Sequence, residues 1–453
     1  MRFRLVVDVQ PDDQSSSHRG GFGSLGGEER GFIDRSFRER IILVGVDSES
    51  TPNYSIDTQM DELQQLVLTA GADVVMRVIQ KKSTPDAATY IGRGKALEIY
   101  ATAEELDADT VVFNNELTPA QQFNLEKIFK RSAIDRTAVI LDIFAQNAST
   151  PEGKSQVELA QLQYLLPRLR GRGGTLSQQA GGIGARGPGE TKLEIDRRRL
   201  VRRIHKLQKQ LVAISSTRSN QSKRRRKSVN QTVAIVGYTN AGKSTLLNRL
   251  IDAADDAYVA DRLFATLDPL TRSLQLPGGE KIFISDTVGF VSNLPHHLVE
   301  AFKTTLDVVI DADLLVHVVD GSKNAPEEDI KAVRTVLRSI NADNIPEIIV
   351  FNKLDRGQSP NHMFEHPNSV QVSAKTGEGV EKMIDAIGEL LRSELQVYEL
   401  KIPFSRGDVI AQVHREGQVL SETTEEDNLT MRVRLDAFAY ERLKKYRKTM
   451  KVT

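Results

Sequence analysis

The sequence predicts an α/β protein: two parallel α/β units, a helical hairpin between them, and a small α+β unit at the C-terminus. Three observations carry this expectation. Apolar, β-rich runs alternate with stretches of helical spacing from Arg40 to Ala148, and again from Val229 to Glu394. Such alternation implies parallel strands covered by helices. Between these regions Leu193, Leu200, Ile204, Leu207, Leu211 and Ile214 recur at steps of seven, four, three, four and three, which is one apolar stripe of a long helix. At 453 residues the chain also exceeds one ordinary core.

The elements follow in order. Residues 1–35 are rich in Ser, Gly and charge ("SSSHRGGFGSLGGEERG") and read as a disordered arm. Residues 36–148 form the first α/β subdomain. Its strand "RIILVGVD" precedes a helix over "IDTQMDELQQLVLTA" that Gly71 stops. "ADVVMRVIQ" reads as strand, "GKALEIYATAEELD" as helix and "DTVVFNN" as strand. Thr118-Pro119 opens a helix over "TPAQQFNLEKIFKRS", and "RTAVILDIFAQNA" reads as a strand. Residues 149–228 form the hairpin. One helix starts at Thr150-Pro151, a glycine-rich tip follows, and a second helix runs from Thr191 to about Ser216. Thr191 and Glu194 make a capping box at its start. That helix would span roughly 40 Å at 1.5 Å per residue, and "SSTRSNQSKRRRKS" beyond it reads as a basic linker. Residues 229–395 form the second α/β domain, with strands "TVAIVG", "KIFISD", "LLVHVVD", "EIIVFN" and "VQVSA". Residues 396–453 hold "ELKIPF", a helix over "RGDVIAQVHREG", the strands "QVLSETTEEDN" and "LTMRVRL", and a basic tail.

Composition narrows the function classes. There is no cysteine, so disulfide frameworks and thiolate metal sites are excluded and a cytoplasmic location is expected. No run of 18 apolar residues suggests a membrane span, and "MRFRLVVDVQ" is too briefly apolar for a signal peptide. No membrane anchor is read, peripheral membrane association is the alternative location, and the free chain is expected to be a monomer. Charge is unevenly placed. From Arg168 to Lys227 there are 18 Lys/Arg against three Asp/Glu, a local balance of +15 in a chain whose 61 basic and 61 acidic residues cancel. Concentrated positive charge is a candidate footprint for a polyanion; a solvated helix face is the plain alternative.

The chemistry concentrates in the second α/β domain. Gly237, Tyr238, Thr239, Asn240, Ala241, Gly242, Lys243 and Ser244 spell G-x-x-x-x-G-K-S between a strand and a helix that begins with Thr245. Backbone N–H groups of such a loop wrap phosphates, and the helix N-terminus adds a positive dipole. Lys243 would reach the β- and γ-phosphates, and Ser244 would ligate Mg²⁺. Asp286-Thr287-Val288-Gly289 follows "KIFIS"; the aspartate would hold Mg²⁺ through a water, and the Gly289 N–H would sense the γ-phosphate. Asn352-Lys353-Leu354-Asp355 follows "EIIVF". A carboxylate at Asp355 accepts both N1–H and N2–H₂ of guanine, donors that adenine lacks. Lys353 would cover the base and Asn352 would brace the loop, while Ser373-Ala374-Lys375 closes from the far side. Each motif alone is weak; all of them in order, at strand ends, point to a Ras-like P-loop domain that takes GTP. Between them "RLFATLDP" offers Phe264, Ala265, Thr266, Leu267 and Asp268 as a mobile segment, with Thr266 completing the magnesium shell. Lys243, Thr266 and Gly289 are the candidate catalytic residues. Where Ras-like enzymes place a water-orienting glutamine, this chain has Phe290, so slow unaided hydrolysis is expected. Asn240 stands where several GTPases that use a monovalent cation carry asparagine, so K⁺ joins Mg²⁺ as a candidate cofactor.

Other blocks are more distinctive. They include "YIGRGKALEI" (Tyr90 to Ile99), "DIFAQNASTPEGKSQVELAQLQYLLPRL" (Asp142 to Leu169), "GGIGARGPGETKLEIDRRR" (Gly181 to Arg199), "LFATLDP" (Leu263 to Pro269) and "DTVGFVSNLPHHLVEAFKTTL" (Asp286 to Leu306). With the phosphate loop they cover most of residues 40–395, and through them the chain resembles the HflX family of translation-associated GTPases. The resemblance implies GTP and GDP as ligands and the large ribosomal subunit and its RNA as partners, with stalled ribosomes dissociated or rescued. It also implies that the glycine-rich tip approaches the peptidyl-transferase centre. An ATP-related or RNA-unwinding activity has been proposed for the N-terminal region of some members, but "GRGK" at Gly92 to Lys95 is too short for a typical ATP site. The N-terminal arm departs from the family pattern. A +15 segment suits ribosomal RNA, and Arg170, Arg172 and Arg186 beside the tip are candidate RNA-binding residues. Two other readings remain: an RNA-remodelling protein regulated by GTP, and a membrane-associated signalling GTPase. Gly182, Gly184 and Gly187 spell G-x-G-x-x-G, yet no strand precedes them, so they fail as a dinucleotide fingerprint.

Overall fold

The architecture comes from a computed structural model that describes residues 38–47, 55–169, 188–225, 231–251, 263–264, 269–277, 280–291, 303–323, 325–357, 366, 368–393, 395–425, 427–435 and 437–447. The arm at 1–35, Arg170, Arg172, the glycine tip with Arg186, and Ala265, Thr266, Leu267 and Asp268 lie outside the described residues.

The first unit runs β1 (Arg40–Asp47), α1 (Ile56–Ala70), β2 (Asp73–Lys81), α2 (Arg93–Glu105), β3 (Thr110–Phe113), α3 (Pro119–Phe129), β4 (Ser132–Asp135) and α4 (Arg136–Asn147). Its four strands pair in parallel in the order β2-β1-β3-β4. Local chemistry sets the helix ends. Ser55 caps α1 and Gly71 closes it at φ 95, while Thr118 and Gln121 form a reciprocal capping box ahead of Pro119. The run "RTAVILDIFAQNA", expected as a strand, is the helix α4, and the strand is only the short segment before it. Residues Arg136 through Phe144 are all buried, because α1 and α5 pack against this helix. A helix covered all round loses its polar face, so its sequence shows no 3.6-residue period and resembles a buried strand.

The hairpin comprises α5 (Pro151–Arg168) and α6 (Pro188–Arg225). Its seam holds Leu159, Leu162, Leu200, Ile204, Leu207 and Leu211. Each fully buried aliphatic side chain there contributes roughly 1.5–3 kcal/mol. Glu158 accepts two hydrogen bonds from Arg203 across the seam, at 2.8 and 2.7 Å. At the end of α5 next to the tip, Arg168 donates to Gln122, Asp135 and the carbonyl of Leu117, and lies 3.6 Å over the Tyr164 ring. Two expectations change here. The second helix begins at Pro188 and continues to Arg225, so residues 191 and 194 sit inside it rather than at a cap, and Glu194 pairs with Arg198 one turn on. The segment read as a linker is largely helical because no Gly or Pro interrupts residues 190–225.

Among the described residues the second α/β unit has six strands: β5 (Thr232–Gly237), β6 (Leu270–Gln275), β7 (Lys281–Asp286), β8 (Leu314–Asp320), β9 (Glu347–Asn352) and β10 (Ser369–Gln371), in the order β10-β9-β8-β5-β7-β6. Helices α7 (Lys243–Leu250), α8 (Lys303–Ile310), α9 (Pro326–Ser339) and α10 (Val380–Ser393) accompany them. Strand β6 is an antiparallel edge strand absent from the sequence expectation. Its "LTRSLQ" is too polar to read as a buried strand, since only one side is paired. The third unit packs β11 (Gln396–Pro403), β13 (Asn428–Leu435) and β12 (Gln418–Glu425), in that order, against α11 (Gly407–Glu416) and α12 (Ala437–Leu443). Among the described residues no helix is long and apolar enough to cross a membrane.

Candidate nucleotide site

The site gathers at the carboxyl ends of β5, β7, β8 and β9, where doubly wound sheets place ligands. The phosphate loop leaves β5 at Gly237 and enters α7 at Lys243. Gly242 has φ 94, and a Cβ there would stand 2.3 Å from Asn352 Nδ2, so the loop can close only with glycine. Lys243 is buried, and its Nζ donates to the Tyr238 carbonyl at 2.9 Å. Burial pushes its amine down to about 8, against the opposing pull of Asp286. The Ser244 hydroxyl donates to Asp286 Oδ2 at 2.6 Å. A hydroxyl and a carboxylate so placed suit Mg²⁺, which takes few protein oxygens and completes its shell from phosphates and water. Thr287 is held by its hydroxyl on the Ile235 carbonyl, 2.7 Å away.

The base end is braced from several elements. Asn352 Nδ2 donates to the Ala241 carbonyl at 2.8 Å, and its Oδ1 accepts from Ala374 N–H at 2.9 Å, tying the phosphate loop to the Ser373 turn. Asp355 accepts from the Ser373 hydroxyl at 2.7 Å, and that bond holds its carboxyl below the ordinary range. Lys353, at φ 70, reaches Asp320 at 2.7 Å. Leu354 and Asp355 open a 3₁₀ turn. Sequence reasoning missed two supports. Asp320 ends β8 and fixes Lys353. Arg249 on α7 donates to the carbonyls of Ala374 and Lys375, steadying the closing turn. The acidic end of "LLVHVVD" was a legible signal for Asp320; nothing marked Arg249.

The first unit reaches this site directly. Tyr238 of the phosphate loop donates its hydroxyl to Glu62 of α1 at 2.6 Å, and Glu62 pairs with Arg136 of α4 at 2.9 Å. Lys323 lies 4.8 Å above the Tyr238 ring. Phe264 is turned into this seam: it meets Phe144 edge to face at 4.6 Å, and its carbonyl accepts from Asn147 at 2.6 Å. Phe290 is buried, and its backbone is zipped to the phosphate loop through Thr239 N–H to the Phe290 carbonyl at 2.7 Å and Phe290 N–H to the Gly237 carbonyl at 3.1 Å. The structure thus brings residues 237–245, 286–289, 352–355 and 373–375 together.

Four family descriptions match along the chain: GTP-binding GTPase N-terminal (residues 57–145), GTP-binding GTPase middle region (147–225), 50S ribosome-binding GTPase (232–353) and HflX C-terminal domain (361–448). A relative named GTPase HflX from Caldanaerobacter subterraneus subsp. tengcongensis is 44% identical over 412 residues, covering 90% of this chain and 94% of the relative. GTPase HflX of Escherichia coli (strain K12) is 41% identical over 400 residues, covering 86% and 93%. A crystal structure of a GTP-binding protein from the archaeon Sulfolobus solfataricus in complex with GDP aligns with 78% of this chain and 99% of its own, at 24% identity and a TM-score of 0.41. With residues 237–245, 286–289, 352–355 and 373–375 gathered at the carboxyl ends of one sheet, and with identity above 40% over most of its length, the chain belongs to the HflX family of GTPases.

Proposed function

We propose that this chain binds GTP with Mg²⁺, hydrolyses it slowly when alone, and acts in its GTP state on the large ribosomal subunit, dissociating or rescuing stalled ribosomes. The observation that carries the nucleotide reading is the bracing of Asn352 between the phosphate loop and the Ser373 turn. It fixes phosphate and base recognition at one spacing. Mg²⁺, when bound, neutralises charge on the β- and γ-phosphoryl oxygens. The chain supplies the rest. Loop N–H groups and Lys243 hold the phosphates, Asp355 selects guanine, and Gly289 lies beside Lys243 to report the γ-phosphate. Phe290 offers no polar group to the attacking water, which supports slow turnover until a partner rearranges the segment. Potassium stimulation through Asn240, at φ 59 in the phosphate loop, belongs to the same proposal.

The ribosomal part is supported by the shape and charge of the hairpin and by the description 50S ribosome-binding GTPase for residues 232–353. Helix α6 has 38 residues, about 57 Å at 1.5 Å per residue. It exposes Arg197, Arg198, Arg202, Lys206 and Lys209. RNA phosphates attract such a surface with strong salt dependence. Arg170, Arg172 and Arg186 at the tip are proposed RNA contacts. The test is sucrose-gradient sedimentation of intact ribosomes with purified protein and a non-hydrolysable GTP analogue. Conversion to subunits is expected with the analogue and not with GDP. Ribosomes that stay intact while the protein co-sediments would refute splitting and favour an RNA-binding role.

A further inference from the structure

We propose that the Thr239 hydroxyl is a catalytic group, donating a hydrogen bond to the terminal phosphoryl group of GTP in place of the polar side chain that position 290 lacks. This rests on the GTP reading above and adds a role to a side chain that the phosphate-loop pattern leaves unspecified. Thr239 is 5% exposed, and its Oγ1 is buried with no hydrogen-bond partner among the described residues. A buried hydroxyl without a partner costs free energy, so its persistence asks for a ligand.

Its surroundings say which ligand. A Cβ placed on Gly289 would stand 2.9 Å from Thr239 Cγ2 and 3.0 Å from Lys243 Nζ. The Thr239 methyl, the phosphate-loop lysine and the D-x-x-G glycine therefore surround one point, and a single χ1 step exchanges that methyl for the hydroxyl on the same Cβ. Lys243 and Gly289 are the groups that address a terminal phosphate in this motif set. The Thr239 N–H bond to the Phe290 carbonyl, at 2.7 Å, fixes the backbone that presents the hydroxyl. Phe290 is 2% exposed, within the apolar cluster shared with Tyr238 and Val288, and has no polar atom to offer.

In the reaction the water oxygen forms a new bond to the γ-phosphorus, and the bond to the β–γ bridging oxygen breaks. The electron pair leaves with GDP, and the water proton ends on the released phosphate. Charge on the γ-phosphoryl oxygens persists through this transfer, so a donor aimed at one of them acts throughout.

Three proteins test it: the parent, Thr239→Val and Thr239→Ser. Valine keeps the buried shape and deletes the hydroxyl; serine keeps the hydroxyl and deletes the methyl. Single-turnover hydrolysis is measured with the affinities for fluorescent GDP and a fluorescent non-hydrolysable GTP analogue. T239V is expected to hydrolyse GTP about tenfold more slowly and to lose about tenfold of its preference for the analogue over GDP, the range for one charge-assisted hydrogen bond. Its GDP affinity should stay within about twofold, and T239S should remain within about threefold of the parent in every measurement. T239V equal to the parent, or T239S falling as far as T239V, would overturn the hydroxyl's role. A parent protein that binds neither nucleotide would overturn the GTP reading itself, and this inference with it.

Discussion

Tyr238 links the phosphate loop to the first α/β unit through one hydroxyl, and that link can be weighed. Its partner Glu62 has a side chain 14% exposed, and Arg136 beyond it is 4% exposed. A hydrogen bond to a charged acceptor contributes about 1.5–3 kcal/mol. Tyr238→Phe deletes that bond and leaves the Glu62–Arg136 pair in place, so about 2 kcal/mol of destabilisation is expected. Glu62→Gln also takes one charged partner from the buried Arg136, so it should destabilise more than Tyr238→Phe does. Because the two residues touch, the double variant should be less destabilised than the sum by about 1–2 kcal/mol. The assay is urea unfolding of the full chain followed by far-UV circular dichroism, with all four proteins at one salt concentration. A coupling below about 0.3 kcal/mol, the level of independent sites, would refute the claim that the two units are joined through the phosphate loop.

Leu207 is 1% exposed at the centre of the hairpin seam. Leu207→Ala should cost about 2–4 kcal/mol locally, seen as faster amide exchange along α5 and α6 while β5 and β8 stay protected. Gly242→Ala forces a side chain into a left-handed residue against Asn352, so fluorescent GDP affinity should fall by at least about a hundredfold. Asp355→Asn exchanges an acceptor for a donor at the base edge. Affinity should shift from GTP toward xanthosine triphosphate, read by competition binding, and unchanged GTP affinity would remove Asp355 from the site. Glu347 supplies a pH test. Burial raises its carboxyl, but the hydrogen bond and charge of His317 and then those of Arg334 outweigh this and hold it at about 2. A folded value below the ordinary 4.5 means the contribution is complete above about pH 4.5 and lost as pH falls toward 2. It is on the order of 3 kcal/mol at most, and Glu347→Gln should flatten that acid limb of the unfolding profile.

The grouping of the candidate nucleotide-site residues was legible because they form short contiguous strings. Residues 237–244, 286–289, 352–355 and 373–375 each follow an apolar strand, and parallel strands bring their carboxyl ends to one edge whatever lies between them. The hairpin was legible for a similar reason: a solvent-facing helix must show its period, and α6 does. Helix α4 and strand β6 were not legible. The first is buried on every side and hides its period, and the second is an edge strand whose polar sequence conceals its pairing. Asp320 and Arg249 were missed because each acts through a partner far away in the chain. By itself, then, the sequence determined the local devices: phosphate loop, the turn after β9, amphipathic seam and concentrated charge. Only the tertiary structure decided that Glu62 joins Tyr238 to Arg136, that Phe144 and Asn147 meet Phe264, and that the Thr239 hydroxyl is buried with no hydrogen-bond partner among the described residues. Such contacts depend on how finished surfaces dock across long stretches of chain, up to the 176 residues between Glu62 and Tyr238, and no short-range pattern encodes them.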